Sequence, residues 1–126
     1  MLRVRASSVS GAVDAPPSKS YTHRALALAL LAERTRIEEP LLSEDPLATL
    51  ACVRAMGGRV EEEDGALVVE GGEVRAADDV LDCANSGTTL RLFTALAALP
   101  DRYTVLTGDA SLRGRPMGPL LSLIHI

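Results

Sequence analysis

The chain has 126 residues, 47% of them hydrophobic and 24% charged, with a net charge of −4; that suffices for one domain with a core, is short for two, and is too apolar for disorder. One Phe, two Tyr, no Trp and an isoelectric point near 5.1 argue against a base-stacking nucleic-acid binder. No apolar run approaches a membrane span, MLRVRASSV lacks the apolar stretch of a secretory signal, and Cys52 and Cys83 make no metal spacing with His23 or His125, so a reduced, cytoplasmic protein is expected.

Arg3 to Asp14 alternates weakly and reads as one or two short strands, broken by Pro16-Pro17. Ser18 is placed to cap a helix running to about Glu33. Arg34 to Pro40 reads as a strand. Ser43 then caps a second helix, with Glu44, Asp45 and Pro46 at its start and Gly57-Gly58 as its stop. Residues 59–63 and 66–70 are two strands joined by the hairpin signal Asp64-Gly65, so the acidic run Glu61 to Asp64 is a solvated hairpin face rather than a metal site.

The pattern then restarts. Leu81-Asp82-Cys83 echoes Val13-Asp14-Ala15, the turn Asn85-Ser86-Gly87-Thr88 stands where Pro17-Ser18-Lys19-Ser20 stood, and Arg91 echoes Arg24. A strand from Tyr103 to Leu106 and a helix beginning near Pro116 complete the echo. Each unit reads β-α-β-α and the first adds a hairpin, which suggests a duplicated subdomain. The second unit has no closing hairpin. The expectation is that the chain is the front part of something larger; a natural C-terminal helix that packs as it stands is the alternative.

Charge is distributed unevenly. Residues 15–32, 83–100 and 110–126 contain no acid and hold Lys19, Arg24, Arg91, Arg113 and Arg115. These segments either are apolar helices where acids are rare, or converge on an anionic small molecule. Lys19 is the single Lys among 13 basic residues, which hints at a task for a compact ammonium.

Three loci carry candidate chemistry. In PSKSYTHR, a helix start offers free backbone N–H groups, Lys19 adds a point charge, Ser20 a hydroxyl, and Arg24 lies one turn on, together a phosphate or carboxylate cradle. In NSGTTLR, Asn85 can cap, Gly87 permits close approach of a ligand to the backbone, and Arg91 falls on the same face. In SLRGRP, Arg113 and Arg115 flank Gly114. A plain capped helix or a mobile basic loop would explain any one of them alone. His23 reads as a helix-surface residue rather than a general base, and Cys83 as core.

PSKSYTHRALALALLA, LDCANSGTTLRL and LTGDASLRGRPM, in this order, resemble the N-terminal part of the 5-enolpyruvylshikimate-3-phosphate synthase family, from about residue 8 to about residue 121. The resemblance implies an α/β (α+β) fold of βαβαββ units in an inside-out barrel. One complete unit would span about 9–71, followed by a truncated second at about 79–126. It implies transfer of the enolpyruvyl group of phosphoenolpyruvate to the 5-hydroxyl of shikimate 3-phosphate, with release of phosphate, in the shikimate pathway. By motif position, Lys19, Ser20 and Arg24 would hold shikimate 3-phosphate. Lys19, Asn85, Gly87 and Arg115 would hold phosphoenolpyruvate, with Arg91 a weaker carry-over. No cofactor or metal is implied, glyphosate would be a possible further ligand, and the parent would be a monomer.

Three departures qualify this. Ala84 stands where the family commonly has Gly, the tail SLIHI does not resemble the family's continuation, and the second domain, with its carboxylate base and further cationic ligands, lies outside these residues. The first dozen residues would pair with that domain, so the chain alone is expected to be inactive. The rival readings are a stand-alone anion-binding module, a truncated product without function, and a relative of the enolpyruvyl transferase that acts on UDP-N-acetylglucosamine, which places a loop cysteine where this chain has SLRGRP.

Overall fold

A computed structural model describes residues 3 and 5–125. Ten elements follow in order: α1 (Lys19–Ala29), β1 (Arg34–Ile37), α2 (Glu44–Ala55), β2 (Arg59–Glu63), β3 (Ala66–Glu70), β4 (Leu81–Asp82), α3 (Gly87–Leu96), β5 (Leu106–Thr107), α4 (Ala110–Arg113) and α5 (Gly118–Ile124).

Strands β1, β3 and β2 form an antiparallel sheet with β3 in the centre. The sequence dictates that order: ALVVE is the one apolar strand and is buried along its first four residues, whereas RTRI and RVEEE carry the charge that suits edges. Register places Ile37 opposite Leu67 and Val60 opposite Val69, and these face the core beneath α1 and α2. On the other face Val68 lies between Arg36 and Glu61. There Arg34 pairs with Glu70 (3.1 Å), Arg36 with Glu63 (3.4 Å) and Arg59 with Glu61 (2.7 Å), on the face that also carries the buried Ala66 and Val68.

β4 and β5 pair in parallel, joined through α3. Leu81 and Cys83 carry this crossover into the same core as Leu26, Leu30, Val53, Met56 and Phe93. The architecture is mixed α and β, as expected, with α1, α2 and α3 in mutual contact.

Several boundaries differ from expectation. No strand forms among the described residues of Arg3 to Asp14, all of which are exposed; Val4, within that stretch, and Ile126, in the tail, lie outside the described residues. Helix α1 stops at Ala29 instead of Glu33 because Gly72 N–H donates to Leu30 O (3.0 Å) and Gly71 N–H to Glu33 O (3.2 Å), drawing the end of β3 onto the helix terminus. A Cβ on Gly71 would stand 2.5 Å from Ala29 O, so only glycine admits the approach. Ser43 is the N-cap of α2 but makes no side-chain cap bond. The strand expected at Tyr103 begins at Leu106. The helix expected near Pro116 is split: Asp109 caps the short α4, and α5 begins at Gly118 with Pro119 in its first turn.

Candidate functional site

The start of α1 presents the first group of candidates. Ser18 Oγ accepts from Tyr21 N–H (3.4 Å), leaving the neighbouring N–H groups of the first turn facing outward. Arg24 Nε donates to Ser20 O (3.0 Å), and its guanidinium lies 4.6 Å above the Tyr21 ring. Lys19 is not a free cation: its Nζ is 2.9 Å from Asp45 Oδ2, at the start of α2. That pair is open to solvent, with side chains 52% and 31% exposed. Such pairs are worth about 0–1 kcal/mol, so a polyanion can displace the carboxylate.

The second group is assembled from two loci distant in sequence. Arg91 Nη1 donates to Gly87 O (3.0 Å), and Arg115 Nη2 donates to Asn85 Oδ1 (2.7 Å). A Cβ built on Gly87 would lie 2.8 Å from Arg115 Nη1 and 2.9 Å from Arg91 Nη1. Two guanidinium groups therefore converge over a residue whose lack of a side chain leaves them room. Asn85 does not cap α3. Ser86 does, accepting from Thr89 N–H (3.1 Å). The Asn85 amide is committed elsewhere, its Nδ2 donating to Asp109 Oδ2 (2.5 Å) while its oxygen holds Arg115. Asp109 also caps α4 through Leu112 N–H (2.7 Å). Those two hydrogen bonds hold its carboxyl below the usual carboxylate range. Ionised, it anchors the chain Asp109–Asn85–Arg115.

The two groups lie at the same end of the helical layer. His23 Nδ1 is 2.6 Å from Thr49 Oγ1, which is 2.7 Å from Thr89 Oγ1, which donates to or accepts from Ser86 Oγ at 2.6 Å. The first halves of α1, α2 and α3 thus meet in a buried polar seam, and their N-termini face the same side. His23 is therefore not a helix-surface residue: it is 1% exposed, and burial lowers its pKa below 6.5, Asp45 acting against this and Lys19 with it.

Sequence reasoning named Lys19, Ser20, Arg24, Asn85, Gly87, Arg91 and Arg115, and the structure groups them at two adjoining helix starts. It missed the two acids that hold them, Asp45 and Asp109. Both look like ordinary residues of a helix start, and only the fold brings Asp45 to Lys19 and Asp109 to Asn85. Ala84, the first departure, has φ +49° and so adopts the left-handed backbone that glycine would supply. Cys83 is buried as expected, and Cys52 with it. The neighbouring Cys83 thiol and burial push the Cys52 thiol far above its ordinary value, which suits core and not a nucleophile. Among the described residues, no helix is long and apolar enough to cross a membrane.

A family model described as EPSP synthase (3-phosphoshikimate 1-carboxyvinyltransferase) matches residues 4–125. The chain is 54% identical over 132 residues to a 3-phosphoshikimate 1-carboxyvinyltransferase of Halorubrum lacusprofundi, covering 98% of this chain and 29% of that protein. A protein of the same name from Methanosarcina mazei is 54% identical over 121 residues, 94% of this chain and 28% of its own length. A solved structure of EPSP synthase from Acinetobacter baumannii superposes with a TM-score of 0.80 at 34% identity, covering 87% of this chain and 26% of that one. The chain thus spans less than a third of the length of the relatives it matches. With one family model running through nearly all of its described residues, and with relatives and solved structures agreeing on it, the chain belongs to the EPSP synthase family.

Proposed function

We propose that this chain supplies the N-terminal part of a cytoplasmic enzyme that joins the enolpyruvyl group of phosphoenolpyruvate to the 5-hydroxyl of shikimate 3-phosphate. Lys19, Ser20 and Arg24 hold shikimate 3-phosphate. Lys19, Asn85, Gly87 and Arg115 hold phosphoenolpyruvate, with Arg91 beside them. The observation that supports this most is the convergence of the Arg91 and Arg115 guanidinium groups over Gly87, next to an α1 start bearing Lys19.

The chemistry is addition followed by elimination. The 5-hydroxyl oxygen bonds to C2 of phosphoenolpyruvate as its O–H bond breaks and the proton passes to a base, while the methylene carbon takes a proton from an acid, giving a tetrahedral intermediate; loss of phosphate and of a methyl proton restores the double bond. Both substrates are polyanions, so a cluster of fixed cations lowers the cost of bringing them together and steadies the departing phosphate. Asn85, pinned between Asp109 and Arg115, fixes one guanidinium so that little reorganisation is needed on binding. The groups that move the protons are not among these residues, and the chain alone has half a site. Its two units, about 9–71 and about 79–126, take their place in a βαβαββ barrel built with the rest of the parent.

The test has two arms. Phosphate release from shikimate 3-phosphate and phosphoenolpyruvate is expected to stay at background with the pure 126-residue chain. It is expected to appear when the chain is joined in frame to the remaining length of the Methanosarcina mazei relative. There Arg115→Ala should raise KM for phosphoenolpyruvate by roughly tenfold or more, the loss of one charge-assisted contact. Release by the chain alone would refute the half-site; an inert but folded fusion would refute the assignment.

A further inference from the structure

The seam beneath the two helix starts is a continuous buried chain of polar atoms with one loose end. Thr49 and Thr89 are fully buried, His23 and Ser86 nearly so, and every polar side-chain atom in the seam has a partner except His23 Nε2. Leaving a buried ring nitrogen unpaired costs free energy that a leucine at the same position would not incur. The imidazole's contribution here is the single contact at Nδ1.

The protons can run along the seam in two orders. If Nε2 carried the proton, it would be an orphaned buried N–H, the rarer and more costly defect. With the proton on Nδ1, Nε2 is a bare lone pair. His23 then donates to Thr49, Thr49 to Thr89, and Thr89 to Ser86, whose Oγ also accepts the Thr89 N–H. Each threonine accepts once and donates once, while Ser86 accepts twice and keeps its own hydroxyl hydrogen; in the reverse order, Ser86 donates into the chain and Thr49 donates to His23 Nδ1 across the same contacts, so either order makes a continuous chain. It begins one turn inside α1, after Lys19 and Ser20. It ends at the N-cap of α3, immediately before Gly87.

We propose that His23, Thr49 and Thr89 are positioning residues: with Ser86 they form a buried link that fixes the start of α3 against the start of α1, and so sets the spacing of the two anion-binding groups. The inference rests on reading those starts as anion sites, and it adds what holds them in register. The backbone alone does not do this, because α1 and α3 belong to different repeats and, among the described residues, no strand of one pairs with a strand of the other. Asp45 joins the seam from α2. Its backbone oxygen lies 3.4 Å from Thr49 Oγ1 and 3.5 Å from Thr89 Oγ1, while its carboxylate reaches Lys19.

The direct test is amide hydrogen exchange on the 126-residue chain without substrate. Thr89→Val keeps shape and removes the hydroxyl. It is expected to lower protection by roughly tenfold at residues 20–23 as well as at 87–90, beyond any change at Leu67 to Val69 in the central strand, which report global opening. Thr49→Val should act likewise on both starts. His23→Asn, whose amide reaches the place of Nδ1, should restore most of the protection that His23→Leu loses. A loss confined to the substituted helix, or an unsubstituted chain unprotected at both starts, overturns the link. In the fusion with the Methanosarcina mazei relative, Thr89→Val should raise KM for both substrates several-fold with a smaller change in kcat. A fusion that transfers enolpyruvyl groups with both KM values unmoved by Thr89→Val overturns the inference alone. A folded fusion that transfers nothing, in a chain whose exchange couples the two starts, overturns the assignment and leaves the link standing.

Discussion

Ala84 occupies a backbone region where a Cβ crowds the following carbonyl, at a cost of about 1–2 kcal/mol. The surroundings insist on it. Ala84 N–H donates to Asp82 Oδ1 (2.8 Å) and Ala84 O accepts from Asp109 N–H (2.9 Å), tying the turn before Asn85 to the loop that carries Arg115. Glycine would relieve the crowding and lose more chain entropy on folding, about 0.5–1 kcal/mol, so Ala84→Gly should be neutral to about 1 kcal/mol stabilising in urea unfolding. A destabilisation of that size would show that the turn relaxes around the methyl group. The candidate anion ligands were legible because each stands in a local pattern at a helix start. His23 was not legible. A histidine beside Arg24 looks solvated in the sequence, and its burial comes from Thr49, 26 residues away, arriving with α2.

Elements whose limits are set locally were legible in the sequence. The hairpin 59–70 turns at Asp64 and Gly65, with φ of +52° and +77°, the conformation that this pair of residues favours. The limits that went astray depend on distant partners. Helix α1 ends where Gly71 and Gly72 return to it, and the N-terminal alternation finds no strand to pair with among the described residues. Helix α4 went unseen for a different reason: four residues are too few for periodicity to register, and Asp109 reads as a loop acid until Leu112 N–H is seen on it. This cap has a pH signature. The Asp109 carboxyl titrates below its ordinary 3.8 in the folded chain because the Leu112 and Asn85 hydrogen bonds favour the charged form. Its contribution to stability is therefore complete above 3.8 and is lost as pH falls through the lower folded value. Asp109→Asn keeps a side-chain oxygen for the cap and removes the titration. The stability difference between the two proteins should be constant above that range and shrink as pH is lowered through it, followed by urea unfolding at a series of pH values. A difference that does not change with acid would mean the carboxylate charge adds nothing to the cap.

At the scale of the molecule, the uneven charge seen in the sequence becomes a division of surfaces. Acids crowd the open face of the sheet, where they pair with arginines, while the acid-free segments form the helix starts of the site and the neighbouring faces of α1 and α3. Between those two helices runs an apolar groove of about 320 Å³, lined by Ala27, Leu28, Leu31, Leu92, Ala95 and Leu96. Leu28 on α1 and Leu31 just past its end are 64% and 48% exposed, while the opposite side of the helix is in the core. A helix apolar on two sides is one expected to be covered on both. Covering one such leucine is worth about 1.5–3 kcal/mol, so in water the groove of this chain should find itself. The 126-residue chain is expected to self-associate with rising concentration in sedimentation velocity, and Leu28→Lys, which places an ammonium on the groove wall, should shift it towards monomer without loss of helical circular dichroism. In the fusion with the Methanosarcina mazei relative, a groove covered by the remaining length would show itself as a lower unfolding temperature for the same substitution. Monomeric behaviour of the unsubstituted chain at every concentration would mean that Leu28 and Leu31 rest in water at little cost. The exposed apolar face would then give the chain no need of its own for a covering partner.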